Sequence, residues 1–98
     1  MSQPKKPDPK HCQIYYDIGV NIRYFRNKIG MTQKALAEEA GISPKYLSLI
    51  ENNAYKHPPS LEIIFELAEI LDVLPGDILN GPINCPFYNG IYRKNKLN

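Results

Sequence analysis

The chain has 98 residues, enough for one small core, because a domain of this size buries only about 60–70 % of its unfolded surface. Hydrophobic residues make up 43 % and charged residues 22 %, with two cysteines and a formal charge of +2, which excludes a disordered acidic chain and a disulfide-stapled scaffold. No run approaches the roughly 18 apolar residues of a membrane span, and the opening MSQPKKPDPKHC has lysines with no apolar stretch behind them, so no secretory leader is expected and a cytoplasmic location follows.

Residues 1–16 read as a flanking segment. Ile18, Ile22, Phe25 and Ile29 then recur at steps of four, three and four, which predicts an amphipathic helix over 17–29 with Arg23, Arg26 and Lys28 off the apolar stripe. Gly30 supplies its stop. Thr32 can cap a second helix whose short apolar face is Leu36, Ala37 and Ala40, while Lys34, Glu38 and Glu39 stay in water. Gly41 ends it, and access to positive φ lets the chain turn sharply into Ile42. Two short helices joined this closely cross steeply instead of stacking, which is the helix-turn-helix arrangement.

Ser43 caps the third helix, Pro44 suits its first position because that N–H has no helical partner, and Asn52 or Asn53 ends it. Leu47 and Ile50 face inward and every other position is expected to point out. A helix held by so narrow a seam is displayed more than buried. The polar loop NNAYKHPP follows, and Ser60 caps a fourth helix with Leu61, Ile64, Leu67, Ala68 and Leu71 as its buried face. Pro75 opens a short fifth helix carrying Ile78 and Leu79. Residues 60–80 hold Glu62, Glu66, Glu69, Asp72 and Asp77 and no basic residue. That block reads either as a solvated acidic face or as the far side of a dipolar domain whose basic side meets a polyanion.

IGVNIRYFRNKIGMTQKALAEEAGISPKYLSLIENN, followed by PPSLEIIFELAEILDVLPGDIL, resembles the phage repressor and Cro type of helix-turn-helix domain, the XRE family, over about residues 17–79. Thr32-Gln33, Leu36-Ala37, Gly41, Leu47-Ser48, Ile50-Glu51, Pro59-Ser60 and Ala68 to Leu71 together carry the resemblance, and YLSLIE with the closing P-S step is similar to the family's sporulation and biofilm regulators. The resemblance implies an all-α, five-helix, lambda-repressor-like bundle over 17–79, with the flank 1–16 before it and an arm, 80–98, after it. It also implies sequence-specific binding of double-stranded DNA as a homodimer, in a transcriptional regulator acting as a repressor.

B-DNA's major groove admits one α-helix, and a helix-turn-helix offers it the leading residues of its second helix. Residues 43–51 are then the recognition helix, with Ser43, Pro44, Lys45, Tyr46 and Ser48 at its reading end. Lys45 can donate to guanine O6 or N7, and Ser48 can pair with several base edges. Tyr46 has two readings, a ring packed on the bundle or a hydroxyl reaching a phosphate. The resemblance implies that Gln33 binds a phosphate and braces the recognition helix, as an amide can donate to phosphate while accepting from a neighbour. It also implies sugar-phosphate contacts from Asn52, Asn53, Tyr55 and Lys56.

Each assignment has a plainer counterpart: Gln33 and Lys45 also fit solvated surface side chains. Arg23 and Arg26 read first as solvent-facing charges and second as phosphate contacts. Glu51 reads as structural, because DNA repels a carboxylate. The sequence departs from the family at Pro44, which lacks a side-chain donor, at Leu49, which replaces a polar residue, and at Asn53, which stands near a common glycine.

The arm has Ile83, Phe87, Tyr88, Ile91 and Tyr92 before a basic end, and dimerisation is its favoured role. A two-fold dimer places its recognition helices about one DNA turn apart and demands a near-palindromic site. Cys12 and Cys85 read as free thiols in a reducing compartment. With His11 and distant His57 they fall short of the tight four-ligand spacing of zinc, so no metal or other cofactor is expected. Enzyme chemistry is not expected either: both histidines lie in loop-like segments, and no glycine-rich phosphate loop is present. The competing class is a protein-binding module of the same fold, such as an antitoxin.

Overall fold

The computed structural model describes residues 7–81, and all regular structure among them is helical. A single 3-10 turn, Pro9–His11, leads into α1, Cys12–Lys28. There follow α2, Gln33–Ala40; α3, Pro44–Asn53; α4, Leu61–Leu71; and α5, Pro75–Asn80. The five-helix expectation therefore holds. Residues 82–98, with the expected dimerisation arm and Cys85, lie outside the described residues, as do residues 1–6.

The helix boundaries follow from their caps. Thr32 Oγ1 accepts from Ala35 N at 3.0 Å, Ser43 Oγ from Tyr46 N at 3.0 Å, and Ser60 Oγ from Ile63 N at 3.2 Å. Each hydroxyl satisfies one of the N–H groups that a helix start leaves without an intrahelical partner. Gly41, at φ 74°, closes α2 and brings Ile42 N back to Ala37 O at 3.0 Å. Asp72 takes the same left-handed position after α4, at φ 61°, and Asp77 then accepts from Leu74 N at 2.9 Å to start α5.

Every helix contributes to one core, in which Ile22, Leu36, Leu47, Ile50, Leu67 and Ile78 are fully buried. Helix α1 is the spine, packing chiefly on α3 and α5, while α2 is wedged between α3 and α4. Gly19 makes the α1–α3 contact possible. A Cβ there would stand 2.5 Å from Glu51 O and 2.6 Å from Ile50 O, so only a glycine lets the backbones come this close. At the other end, buried Asn21 donates from Nδ2 to Ile78 O at 2.7 Å and ties α1 to the last helix.

The structure corrects several expectations. Helix α1 starts at Cys12, not at residue 17, and the early turns carry no apolar stripe because Gln13, Ile14 and Tyr16 are exposed. They are held instead by Gln13 Nε2 donating to Asp17 Oδ1 at 2.9 Å and by the half-buried Tyr15. Ile29, expected on the stripe, is 49 % exposed, since it sits at the C-cap and Met31 takes the inward position beyond the turn. Leu61 is 63 % exposed although its spacing fits the buried face; with Glu62 also exposed, burial in α4 begins only at Ile63 and Ile64. In α5, where the sequence reading assigns no burial, Ile78 takes the inward place and Leu79 points about 100° away and is exposed. Among the described residues no helix is long and apolar enough to cross a membrane.

Candidate nucleic-acid interface

The α2–turn–α3 unit presents the leading end of α3 outward. Ser43, Pro44 and Lys45 are exposed, Tyr46, Ser48 and Leu49 are half-buried, and Asn52 and Asn53 are exposed at the far end. Tyr46 belongs partly to the core, against which it packs. The expectation that only Leu47 and Ile50 turn inward needs one addition, because Glu51 is 3 % exposed.

That carboxylate is the centre of a polar brace. Arg26 Nε donates to Glu51 Oε2 at 2.7 Å and Arg26 Nη2 donates to Oε1 at 3.0 Å, a two-pronged contact that matches the guanidinium to the carboxylate. Gln33 Nε2 donates to the same Oε1 at 2.9 Å, and Arg26 Nη1 donates to Met31 O at 2.9 Å. Arg23 adds a longer ion pair at 3.7 Å. A carboxylate withdrawn from water needs partners of this kind on every side. Here α1, α2 and α3 are locked through one group. Arg26 is 9 % exposed, so the reading of it as a solvent-facing charge is corrected: it is a buried strut. Glu51 has the bracing role its sign implied.

Gln33 contributes to this brace by donating, whereas the sequence reading had it accept. Its second N–H and its carbonyl remain for an outside partner at the start of α2. Arg23 also donates to Asn52 Oδ1, and Asn52 Nδ2 donates to Ser48 Oγ at 3.2 Å on the outer side of α3. Tyr55 donates its hydroxyl proton to Pro7 O at 2.9 Å and meets Tyr15 edge-on at 6.2 Å, pinning the chain ahead of α1 to the loop after α3. Lys56 is exposed on that loop. Among the described residues no cluster of His, Cys, Asp or Glu could hold a metal ion, and Cys12 is an exposed free thiol.

A family model described as helix-turn-helix matches residues 22–78, from the middle of α1 to α5. The chain belongs to the XRE-type helix-turn-helix family. Its similarity to the HTH-type transcriptional regulator SinR of Bacillus licheniformis is 36 % identity over 63 residues, covering 64 % of this chain and 56 % of that protein. For SinR of Bacillus subtilis (strain 168) it is 38 % over 56 residues, 57 % of this chain and 50 % of that protein. The chain thus spans about half the length of the curated relatives it matches. Among solved structures, the N-terminal DNA binding domain of SinR from Bacillus subtilis superposes with a TM-score of 0.59 at 33 % identity, covering 65 % of this chain and 91 % of that one. The clp gene regulator ClgR from Corynebacterium glutamicum shares the fold, with a TM-score of 0.67 at 24 % identity over 95 % of this chain and 89 % of that one.

In this helix-turn-helix chain sequence reasoning found Gln33 and Glu51 as braces of α3 but missed Gly19 and Arg26, which meet it from α1. Gly19 reads in the sequence as an unremarked glycine within a helix, and Arg26 as one of several cations. Their signal was positional: Arg26 directly follows core residue Phe25 and Glu51 directly follows core residue Ile50, so both charges border an apolar stripe and invite each other.

Proposed function

We propose that this chain is a sequence-specific DNA-binding transcriptional regulator that seats the leading end of α3 in the major groove of double-stranded DNA. The observation that carries the reading is the braced and displayed α3, whose back is fixed by Arg26, Gln33 and Glu51 while Ser43, Pro44 and Lys45 stay exposed. The names of its relatives, a transcriptional regulator and a DNA binding domain, support the same conclusion.

In this arrangement Lys45 donates to guanine O6 or N7, Pro44 offers apolar contact to thymine methyls, and Ser48 faces a base edge. The remaining N–H of Gln33 meets a phosphate, and so does the start of α3 at Ser43. Pro44 has no N–H there and Ser43 Oγ takes Tyr46 N, which leaves Lys45 N and the partial positive charge of the helix end. Asn53 and Lys56 follow the sugar-phosphate backbone, whereas Tyr55 donates its hydrogen bond to the Pro7 carbonyl and steadies the loop that carries Lys56. The protein acts as a homodimeric repressor on a near-palindromic site whose half-sites lie about 34 Å apart, one turn of duplex. Dimerisation falls to the arm 80–98.

Selection of bound duplexes from a random pool, followed by affinity titration at several salt concentrations, tests the proposal. A recovered near-palindrome bound far more tightly than scrambled duplex supports it. Failure to bind any duplex, even in dilute buffer, overturns it in favour of a protein partner.

A further inference from the structure

Ser48 stands one helical turn behind Asn52 on the outer side of α3, and a serine hydroxyl can either donate or accept at a base edge. The surrounding side chains bias that choice toward donation. Arg23, whose side chain is 43 % exposed, is held against α3 by Glu51, with its Nε 3.7 Å from the carboxylate and its Nη2 3.4 Å from the main-chain oxygen. The same Nη2 donates to Asn52 Oδ1. A guanidinium has donors and no acceptor, so the oxygen end of the Asn52 amide has to face it. The NH2 end is thereby turned toward Ser48, where Nδ2 donates to Oγ at 3.2 Å. A hydroxyl that accepts from an amide directs its own proton elsewhere, and among the described residues the Ser48 proton has no acceptor.

We propose that the Arg23–Asn52–Ser48 relay occupies one lone pair of Ser48 and turns its proton outward toward DNA, so that Ser48 favours bases with a major-groove acceptor over cytosine. Guanine offers O6 and N7, thymine O4 and adenine N7, whereas cytosine offers only an amino donor there. This inference rests on the reading of α3 as the recognition helix and adds the hydrogen-bond polarity of one of its residues. Arg23 and Asn52 act through Ser48 as positioning residues.

The test uses the full chain and the duplex selected from the random pool, with all four base pairs placed in turn at each position and affinities measured by fluorescence anisotropy. The Ser48 position is the one at which Ser48→Ala levels the preference. There the unaltered protein is expected to bind an acceptor base about tenfold more tightly than cytosine, within the range of one good base contact. Arg23→Met, at a half-exposed side chain, frees the Asn52 amide to rotate and should shrink that ratio to about two- to threefold while leaving the preference at the Lys45 position intact. Asn52→Asp presents only acceptors, draws the Ser48 proton toward itself, and should move the preference toward cytosine. Thermal melts confirm that each variant is folded at the assay temperature.

The inference is overturned if the unaltered protein prefers cytosine at this position, if Ser48→Ala changes no position, or if Arg23→Met and Asn52→Asp both leave the ratio untouched. Failure of the underlying reading looks different: no base preference at any position, including the one set by Lys45.

Discussion

Arg26 and Glu51 meet as fork and carboxylate, at 2.7 and 3.0 Å, with no solvent-exposed surface left on the Glu51 side chain. The pair joins α1 to the end of α3, and Gln33 brings in α2 through the same carboxylate. The orientation of α3 is therefore set by charge pairing as well as by the burial of Leu47 and Ile50.

Removing one partner should cost far more than removing both. Arg26→Met leaves Glu51 buried with Gln33 and the more distant Arg23, and should lower stability by about 3–5 kcal/mol in urea titration. The double variant Arg26→Met, Glu51→Met buries no charge and should recover most of that loss. Equal losses from the single and double variants would mean that the carboxylate is not dependent on its arginine.

Two glycines separate packing from backbone conformation. Gly19→Ala drives a Cβ into the α3 carbonyls and should destabilise by about 1–3 kcal/mol or more while displacing α3, so duplex affinity falls even well below the melting temperature. Gly41→Ala meets open space but is held at φ 74°, and should cost about 1–2 kcal/mol of stability. Its folded fraction should bind DNA as before. Melting curves and anisotropy titrations on the two variants check both halves.

The lysines at the two ends of the interface should fail differently. Lys45→Ala should weaken binding at one or two base positions by about 1–3 kcal/mol, whereas Lys56→Ala should weaken all sequences alike and lower the salt slope by about one unit. Affinity measured over a panel of singly substituted duplexes, at several salt concentrations, distinguishes them. A uniform loss from Lys45→Ala would contradict base reading by that residue.

Asn21 anchors α5 through the Ile78 carbonyl at 2.7 Å. Asn21→Ala leaves that buried carbonyl without this donor and should cost about 1–3 kcal/mol. Hydrogen exchange should show the loss first as faster exchange at the amides of α5.

The parts of the fold set by local chemistry were legible in the sequence. Thr32, Ser43 and Ser60 are caps where hydroxyls precede apolar spacing, and Gly41 turns the chain where a left-handed residue is required. The displayed face of α3 was legible too, because only Leu47 and Ile50 give it an apolar seam. Contacts between distant residues were not. Arg26 and Glu51 are 25 positions apart, and although each borders an apolar stripe, neither position says which distant charge it will meet. Gly19 is informative only once α3 lies against it. The start of α1 was hidden because its first turns bury little, and Leu61 and Leu79 had suitable spacing or composition but no neighbour to cover them.

The central claim is that DNA meets the leading turn of α3, and amide chemical shifts of the isotope-labelled chain titrated with its selected duplex test it most directly. The account predicts that the largest changes fall on Gln33, Ser43, Lys45, Ser48 and Lys56, with Glu62 to Phe65 on α4 nearly unmoved. Changes centred on α4 and α5, with residues 43–48 unaffected, would contradict it.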